Sequence, residues 1–309
     1  MNLMDNNLLF PPLRLVLNTA CNGKCYFCHH EGNTTVDEEM PISIITECVD
    51  AAQKLQIRKI SLTGGEPTLR TDIDDIVCLI KQCYPTVDLG ITTNGFGLNG
   101  VSENTLKLLD HINLSIISFD EALIDKYQRV ALSVPFSILK PYAQKTTINI
   151  VVVADNKKDL ISIIERCFDF GFNVDLMFDL VDDDIQLQTE VLSSLTRKYG
   201  LFSIHYYSTP VMMQYNNARL KLRIKSPSVS NILCRLICKQ CPHKCQCKEK
   251  ICALRVYPDG HISPCLNNYV ISSKKTVHDQ ILDIYPKLGV DLADLYSIVL
   301  KCDDSSKRR

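Results

Sequence analysis

The chain has 309 residues, a formal net charge of −1 and an apolar fraction of 46%. That length allows one large α/β domain with a smaller appendage, and the near-zero charge gives no reason to expect a nucleic-acid or membrane-surface partner. The apolar runs are too short to cross a bilayer, and the start, MNLMDNNLLFPP, lacks the basic residues and small-residue cleavage site of a signal peptide, so a cytoplasmic location is expected.

From the amino terminus, short β-branched runs alternate with longer amphipathic ones. Strands are predicted at 13–19, 59–63, 89–93, 113–119, 147–153 and 174–179. Helices are predicted at 42–56, 72–82, 103–109, 158–170 and 187–198, with a broken helical stretch at 121–142. Strand-then-helix units in succession argue for a parallel α/β architecture. Near-continuous apolar strands such as INIVVV fit a sheet covered by helices. An open doubly wound sheet and a partial barrel both produce this cadence, and both put a ligand at the carboxyl ends of the strands.

Small and polar residues collect at those ends. The first strand leads into LNTACNGKCYFCHHEG, with Cys21, Cys25 and Cys28 spaced C-x3-C-x2-C. The second runs into TGGEP, the third into TTNG, and the fourth ends at SFD. One such group is an ordinary turn; four at the same end of their units indicate a shared site. The cadence stops near residue 201, which divides the chain into residues 1–205 and 206–309. The acidic runs at 37–39 and 182–184 read as solvated loops.

Cysteine usage is informative. Of the 15 cysteines, three form the opening motif and seven crowd between Cys234 and Cys265. In a reducing compartment, clustered thiols read as metal sites rather than disulfides. The others, Cys48, Cys78, Cys83, Cys167 and Cys302, read as small apolar residues in or near a core. Three thiolates on one loop leave a coordination position open, whereas structural zinc and most four-iron clusters take four ligands. His29 or His30 could complete a zinc site. The YPDGHI segment reads as a hairpin turn between short strands at 253–257 and 261–263, bringing Cys265 beside the residues before Cys252.

CNGKCYFC after a strand, followed in order by GGEP, TTNG and SFD, resembles the radical S-adenosylmethionine (SAM) superfamily. The resemblance implies a partial (β/α)6 TIM-like barrel and an enzyme. It implies that Cys21, Cys25 and Cys28 hold a [4Fe–4S] cluster whose open iron binds SAM, and that reductive cleavage yields a 5′-deoxyadenosyl radical that abstracts a hydrogen. It further implies SAM contacts from Phe27, Gly64, Gly65, Glu66, Thr93, Ser118 and Asn149, and a flavodoxin- or ferredoxin-type electron donor.

ALRVYPDGHISPCL is similar to the carboxy-terminal segment of the GTP cyclases of molybdenum-cofactor synthesis. This implies a second, auxiliary [4Fe–4S] cluster, with Cys238, Cys241, Cys247 and Cys265 as ligands and Cys252 as the alternative. Arg14, Lys59 and Arg255 match positions near the cyclase substrate. Ala253 stands at the place of a second cyclase arginine, and Asp175 at a place where the cyclases are basic. The resemblance thus implies a small, nucleotide-like substrate. The alternatives are a peptide-modifying maturase, since C-x2-C-x5-C also marks those enzymes, and a non-catalytic iron–sulfur or zinc protein.

Overall fold

The computed structural model describes residues 8–28, 37–128, 136–178, 184–206, 211–215, 219–224, 253–265, 275–288 and 290–291. The strands are β1 (Leu8–Leu9), β2 (Leu13–Val16), β3 (Lys59–Thr63), β4 (Asp88–Thr93), β5 (His111–Ile116), β6 (Thr146–Val152), β7 (Asn173–Phe178), β8 (Phe202–Tyr206), β9 (Val211–Tyr215), β10 (Leu220–Ile224), β11 (Leu254–Val256), β12 (Ile262–Ser263) and β13 (Val290–Asp291). The α-helices are α1 (Ile42–Lys54), α2 (Ile73–Cys83), α3 (Glu103–Leu108), α4 (Glu121–Tyr127), α5 (Phe136–Leu139), α6 (Leu160–Asp169), α7 (Ile185–Tyr199) and α8 (Val277–Ile284).

The main sheet runs β12-β11-β2-β3-β4-β5-β6-β7-β10-β9-β8, and β2 to β7 are parallel neighbours in chain order. A doubly wound sheet reverses its strand order at a switch point. Here the order never reverses across the central strands, so the chain winds in one direction, as in a barrel. The ammonium of Lys59 on β3 also feels the charges of Lys221 and Arg223 on β10. In a flat sheet those strands would lie about 24 Å apart, at about 4.8 Å per strand. The sheet is therefore curled, and β3 faces β10 across its interior.

Side-chain alternation sets the two faces. The outer row includes Leu15, Ile60, Leu62, Leu89, Ile112, Leu114, Ile148, Ile150, Val174 and Leu176, all buried in the main core. The covering helices supply apolar residues at helical spacing, such as Ile45, Cys48, Val49 and Ala52 on α1 and Leu160, Ile163, Ile164 and Cys167 on α6. The inner row is polar. Across adjacent strands it reads Arg255, Arg14, Ser61, Gly90 and His111, and further round Ser115, Asn149, Asp175 and Lys221. This corrects the expectation of strands apolar on both faces: INIVVV has Asn149 and Val151 on its inner row. The interior is a polar lumen.

Residues beyond 205 add to this sheet: β10 pairs in parallel with β7, and β11 in parallel with β2. The hairpin expected around YPDGHI is present, with β11 antiparallel to β12. The carboxy-terminal helix α8 packs beside α1, where the His278 main-chain N–H donates to Glu47 at 3.1 Å, and the Tyr285 hydroxyl donates to the Pro11 carbonyl at 2.8 Å. Cys48 and Cys167 are buried as expected, whereas Cys83 is exposed because it ends α2. Cys302 lies outside the described residues. No helix among the described residues is long and apolar enough to cross a membrane.

Candidate active site

The carboxyl ends of β2 to β6 form a mouth whose loops are tied together by buried polar side chains. The cysteine loop follows β2. Its main chain hangs on the end of α4: Lys24 N–H donates to the Gln128 carbonyl (3.1 Å) and Tyr26 N–H to the Tyr127 carbonyl (2.8 Å). Within the loop, Gly23 N–H donates to Cys21 Sγ at 3.3 Å. Gln128 is 3% exposed. Its side-chain oxygen accepts from Ile117 N–H and its amide donates to the Ser115 carbonyl, so the loop is anchored to the end of β5.

The GGEP segment packs directly on the chain leading into the cysteines. Gly65 and Glu66 donate their N–H groups to the carbonyls of Asn18 and Ala20, both at 2.8 Å. A Cβ on Gly64 would fall 2.3 Å from Asn18 Oδ1, and one on Gly65 would fall 2.2 Å from the Ala20 carbonyl oxygen. The closeness that demands glycine here is therefore closeness to the neighbouring loop.

Glu66 is 1% exposed and spans two strand ends. Its Oε1 accepts from Thr68 N–H (3.0 Å), the Thr68 hydroxyl (2.5 Å) and the Thr93 hydroxyl (2.6 Å), and its Oε2 from Asn94 N–H (2.6 Å). Burial pushes its carboxyl above the ordinary range, against the pull of those bonds. Thr93 is thus engaged with Glu66, and also accepts from Gly95 N–H at 2.9 Å. Asn94 reaches across to Asn22 in the cysteine loop at 2.9 Å. The Ser118 hydroxyl accepts from Asp120 N–H at 3.0 Å, forming the turn that starts α4. Phe27 packs against Ile117, Ile124 and Val153 in a small apolar cluster at the ends of β5 and β6.

Sequence reasoning missed the residues that lock these loops. Arg70, buried, donates to the carbonyls of Leu17 and Met40, each at 2.8 Å, and makes a two-pronged ion pair with Asp72. Asn18 donates to the Glu66 carbonyl at 2.9 Å. Asn156, fully buried, donates to the carbonyls of Ile117 and Val151 and accepts from Val153 N–H. A charged or amide residue two to seven positions beyond a strand end was the available signal.

Below the mouth lies the lumen. Among the described residues its inner row carries Arg14, Lys59, Lys221, Arg223 and Arg255 against Asp88 and Asp175. Arg255 is buried and lies in register with Arg14. Arg223 pairs with Asp175, while Asp88 lies 3.7 Å from Lys59 and 3.0 Å from His111. Burial holds the Lys59 ammonium below its ordinary pKa despite Asp88. Arg14, Lys59 and Arg255 are therefore brought into one chamber, with Asn149 on its opposite wall.

The cysteines suit a multi-iron cluster. Their thiols feel one another's charge, and burial, reinforced by Cys28 and Cys21, pushes the Cys25 thiol up to about 12. Burial likewise raises the Cys21 thiol. Loading a metal must displace those protons. Among the described residues no three His, Cys, Asp or Glu side chains converge on one point as a single zinc would need. Three thiols on one loop match a cluster that takes one thiolate per iron and leaves one iron open. Cys265 is half-buried, and its carbonyl accepts from the Ser263 hydroxyl. Cys238, Cys241, Cys247 and Cys252 lie outside the described residues, as do His29 and His30.

A one-way wound barrel with a three-thiol loop at its mouth defines a class of barrel enzyme that works at the carboxyl ends of its strands. Residues 15–180 match the radical SAM superfamily, and the chain belongs to it. Among curated relatives, a protein named "Probable GTP 3',8-cyclase" from Methanosarcina mazei is 26% identical over 291 residues, covering 88% of this chain and 79% of that one. Its namesake from Pyrococcus abyssi is 31% identical over 186 residues, 58% of each chain. That from Thermoplasma volcanium is 43% identical over 119 residues, 38% of this chain and 35% of the relative. The chain thus aligns with little more than a third of the length of this last relative.

Among solved structures, Streptococcus suis SuiB bound to S-adenosylmethionine superposes with a TM-score of 0.61 at 18% identity, covering 92% of this chain and 67% of SuiB. The protein anSMEcpe with bound AdoMet gives 0.57 at 16% identity, covering 90% and 82%. At such identities the likeness concerns the fold, a partial TIM-like barrel. Membership in the superfamily makes the chain an enzyme and carries with it a [4Fe–4S] cluster and SAM binding. The non-catalytic reading of the cysteines is set aside.

Proposed function

We propose that this radical SAM enzyme acts on a small anionic, nucleotide-like molecule held in the lumen beneath the cysteine loop. The observation that carries the reading is the polar inner wall, which among the described residues gathers Arg14, Lys59, Lys221, Arg223 and Arg255 together with Asp88 and Asp175. Cations converging in a low-dielectric chamber favour an anion. The likeness to proteins named GTP 3',8-cyclase supports a nucleotide. Cys21, Cys25 and Cys28 would hold the cluster. When bound, that cluster supplies the electron that cleaves SAM to a 5′-deoxyadenosyl radical.

The chain's own residues then have separable tasks. Gln128 and Asn94 hold the cysteine loop; Glu66 and Asn156 fix neighbouring strand ends; the lumen cations orient the substrate below. Phe27, Gly64, Gly65, Glu66, Thr93 and Ser118 are proposed to line the SAM side, Gly64, Gly65 and Glu66 through their main chain. Asn149, for which the resemblance implies the same role, stands on the lumen wall in register with Asp175 and is proposed to face the substrate. Cys238, Cys241, Cys247 and Cys265, with Cys252 as the alternative, are proposed to hold an auxiliary cluster. A flavodoxin- or ferredoxin-type donor in the cytoplasm would provide the electron.

The test is anaerobic reconstitution followed by reduction in the presence of SAM. Wild type is expected to form 5′-deoxyadenosine. The Cys21/Cys25/Cys28→Ala triple variant should lose one cluster's worth of iron and sulfide and all product, while Cys265→Ala keeps the first cluster. Absence of 5′-deoxyadenosine from cluster-loaded wild type would sink the reading.

A further inference from the structure

Asp175 is 3% exposed and sits on the inner row of β7. Arg223 spends two N–H groups on one of its oxygens: Nε donates to Oδ2 at 2.7 Å and Nη2 lies 2.5 Å from the same atom. Oδ1 is buried, and no donor among the described residues reaches it. The register partner of Asp175 on β6 is Asn149, whose Oδ1 is also buried without a donor among the described residues. Neighbouring strands put the two residues about 4.8 Å apart on one wall.

Buried acceptors left unmatched cost free energy unless something donates to them. An ionised carboxylate only accepts, whereas Asn149 can present either edge of its amide. One amino group carries two N–H donors and can serve both acceptors at this spacing. The cations Lys59, Lys221, Arg14 and Arg255 stand on other strands of the same chamber.

We propose that Asp175 Oδ1 and Asn149 form an amino-group subsite, so that the substrate is amphoteric: an anionic group toward the lumen cations and an amino N–H donor toward β6 and β7. The proposal rests on the reading of the lumen as the substrate chamber. Asp175 is then a specificity residue, and Arg223 positions it by occupying the other oxygen.

The substitution Asp175→Asn makes a sharp test. Arg223 fixes an oxygen at the Oδ2 position, which places the new NH2 where Oδ1 was. The subsite changes from acceptor to donor. Asn149→Leu removes the second acceptor with little change in size and covers the case in which Asp175→Asn fails to fold.

Binding to anaerobically reconstituted protein is measured by calorimetry with two probe pairs. GTP against ITP tests a heteroaromatic amine; 2-aminoethyl phosphate against ethyl phosphate tests an aliphatic one. In wild type one pair should favour its amino member by roughly tenfold or more, the discrimination expected when a hydrogen bond to a charged group is made or lost. Asp175→Asn should abolish that preference, and Asn149→Leu should reduce it. If neither pair is bound better in its amino form by wild type, or if the preference survives both substitutions, the inference is overturned. Formation of 5′-deoxyadenosine by the wild-type protein is scored separately, so failure of the subsite and failure of the radical reading give different results.

Discussion

The main-chain oxygen of Gln128 lies 3.7 Å from the thiol of Cys25 and 3.1 Å from the nitrogen of Lys24, which donates to it. The same residue uses its side chain to pair Ile117 N–H and the Ser115 carbonyl. One buried glutamine thus couples the height of the cysteine loop to the end of β5. Replacing it by alanine leaves a buried N–H and a carbonyl without these partners, at a cost of about 1–3 kcal/mol. Gln128→Ala should lower the melting temperature by several degrees, at about 2–4 °C per kcal/mol for a chain of this size. It should also retain less iron than wild type after identical reconstitution. Full iron retention with lowered stability would mean that the loop is held by other bonds.

Gly65 and Gly100 should respond oppositely to alanine. At Gly65 the new methyl would collide with main-chain atoms of Ala20 and Thr19, the nearest at 2.2 Å. Main chain cannot swing aside as a flexible side chain can, so the GGEP loop and the cysteine loop must part. Gly65→Ala is expected to destabilise by about 2 kcal/mol or more. At Gly100 nothing lies within 4 Å of the Cβ position, and the residue lies at the end of the 3-10 turn Leu98–Gly100 without a positive φ. Gly100→Ala should be neutral or stabilising by up to about 1 kcal/mol, through the entropy of the unfolded chain. Denaturant titration of both variants checks the contrast.

The succession of strands, the three-thiol motif and the grouping of small residues at one end of each unit were legible in the sequence. Strand ends were less so, for a physical reason. The fourth strand was expected to reach residue 119, but β5 stops at Ile116. Beyond it, Ile117 gives its N–H to Gln128 and its carbonyl to Asn156, so side chains from distant positions replace the ladder. Likewise Thr19 leaves β2 to donate its N–H to the Glu38 carbonyl. The pairing of Arg255 with Arg14 joins residues 241 positions apart, which local periodicity cannot reveal. The polar lumen was obscured because Val151 puts an apolar residue on the inner row of β6.

The Arg70–Asp72 pair predicts a pH signature. Hydrogen bonds from the Arg70 guanidinium hold the Asp72 carboxyl below the usual carboxylate range. A carboxyl whose folded pKa is depressed contributes stability above its unfolded value, near 4, and loses it as pH falls through the folded value. Asn cannot ionise and has nearly the shape of protonated Asp. The melting temperature of wild type should therefore exceed that of Asp72→Asn at pH 7 and stay ahead down to about pH 5. The gap should close below about pH 4. A gap of constant size from pH 7 to pH 3 would show that ionisation of Asp72 contributes nothing.

Asn156 should tolerate alanine better than aspartate, although aspartate has nearly its shape. Its Nδ2 donates to two carbonyls, Ile117 and Val151, each at 2.9 Å, while Oδ1 accepts from Val153 N–H at 3.0 Å. The residue is fully buried. Alanine loses those bonds and leaves the carbonyls unpaired, a cost of about 2–3 kcal/mol. Aspartate keeps the bond to Val153 but turns a carboxylate oxygen toward two carbonyl oxygens in a site without water. It must either carry a buried charge facing acceptors or take up a proton, and both are costlier than losing the amide. Chemical denaturation at pH 7 should rank wild type above Asn156→Ala and Asn156→Ala above Asn156→Asp. Lowering the pH toward 5 should narrow the difference between the two variants, because protonated aspartate regains one donor for a carbonyl. Equal stability of the two variants at pH 7 would show that water reaches this junction of β5 and β6.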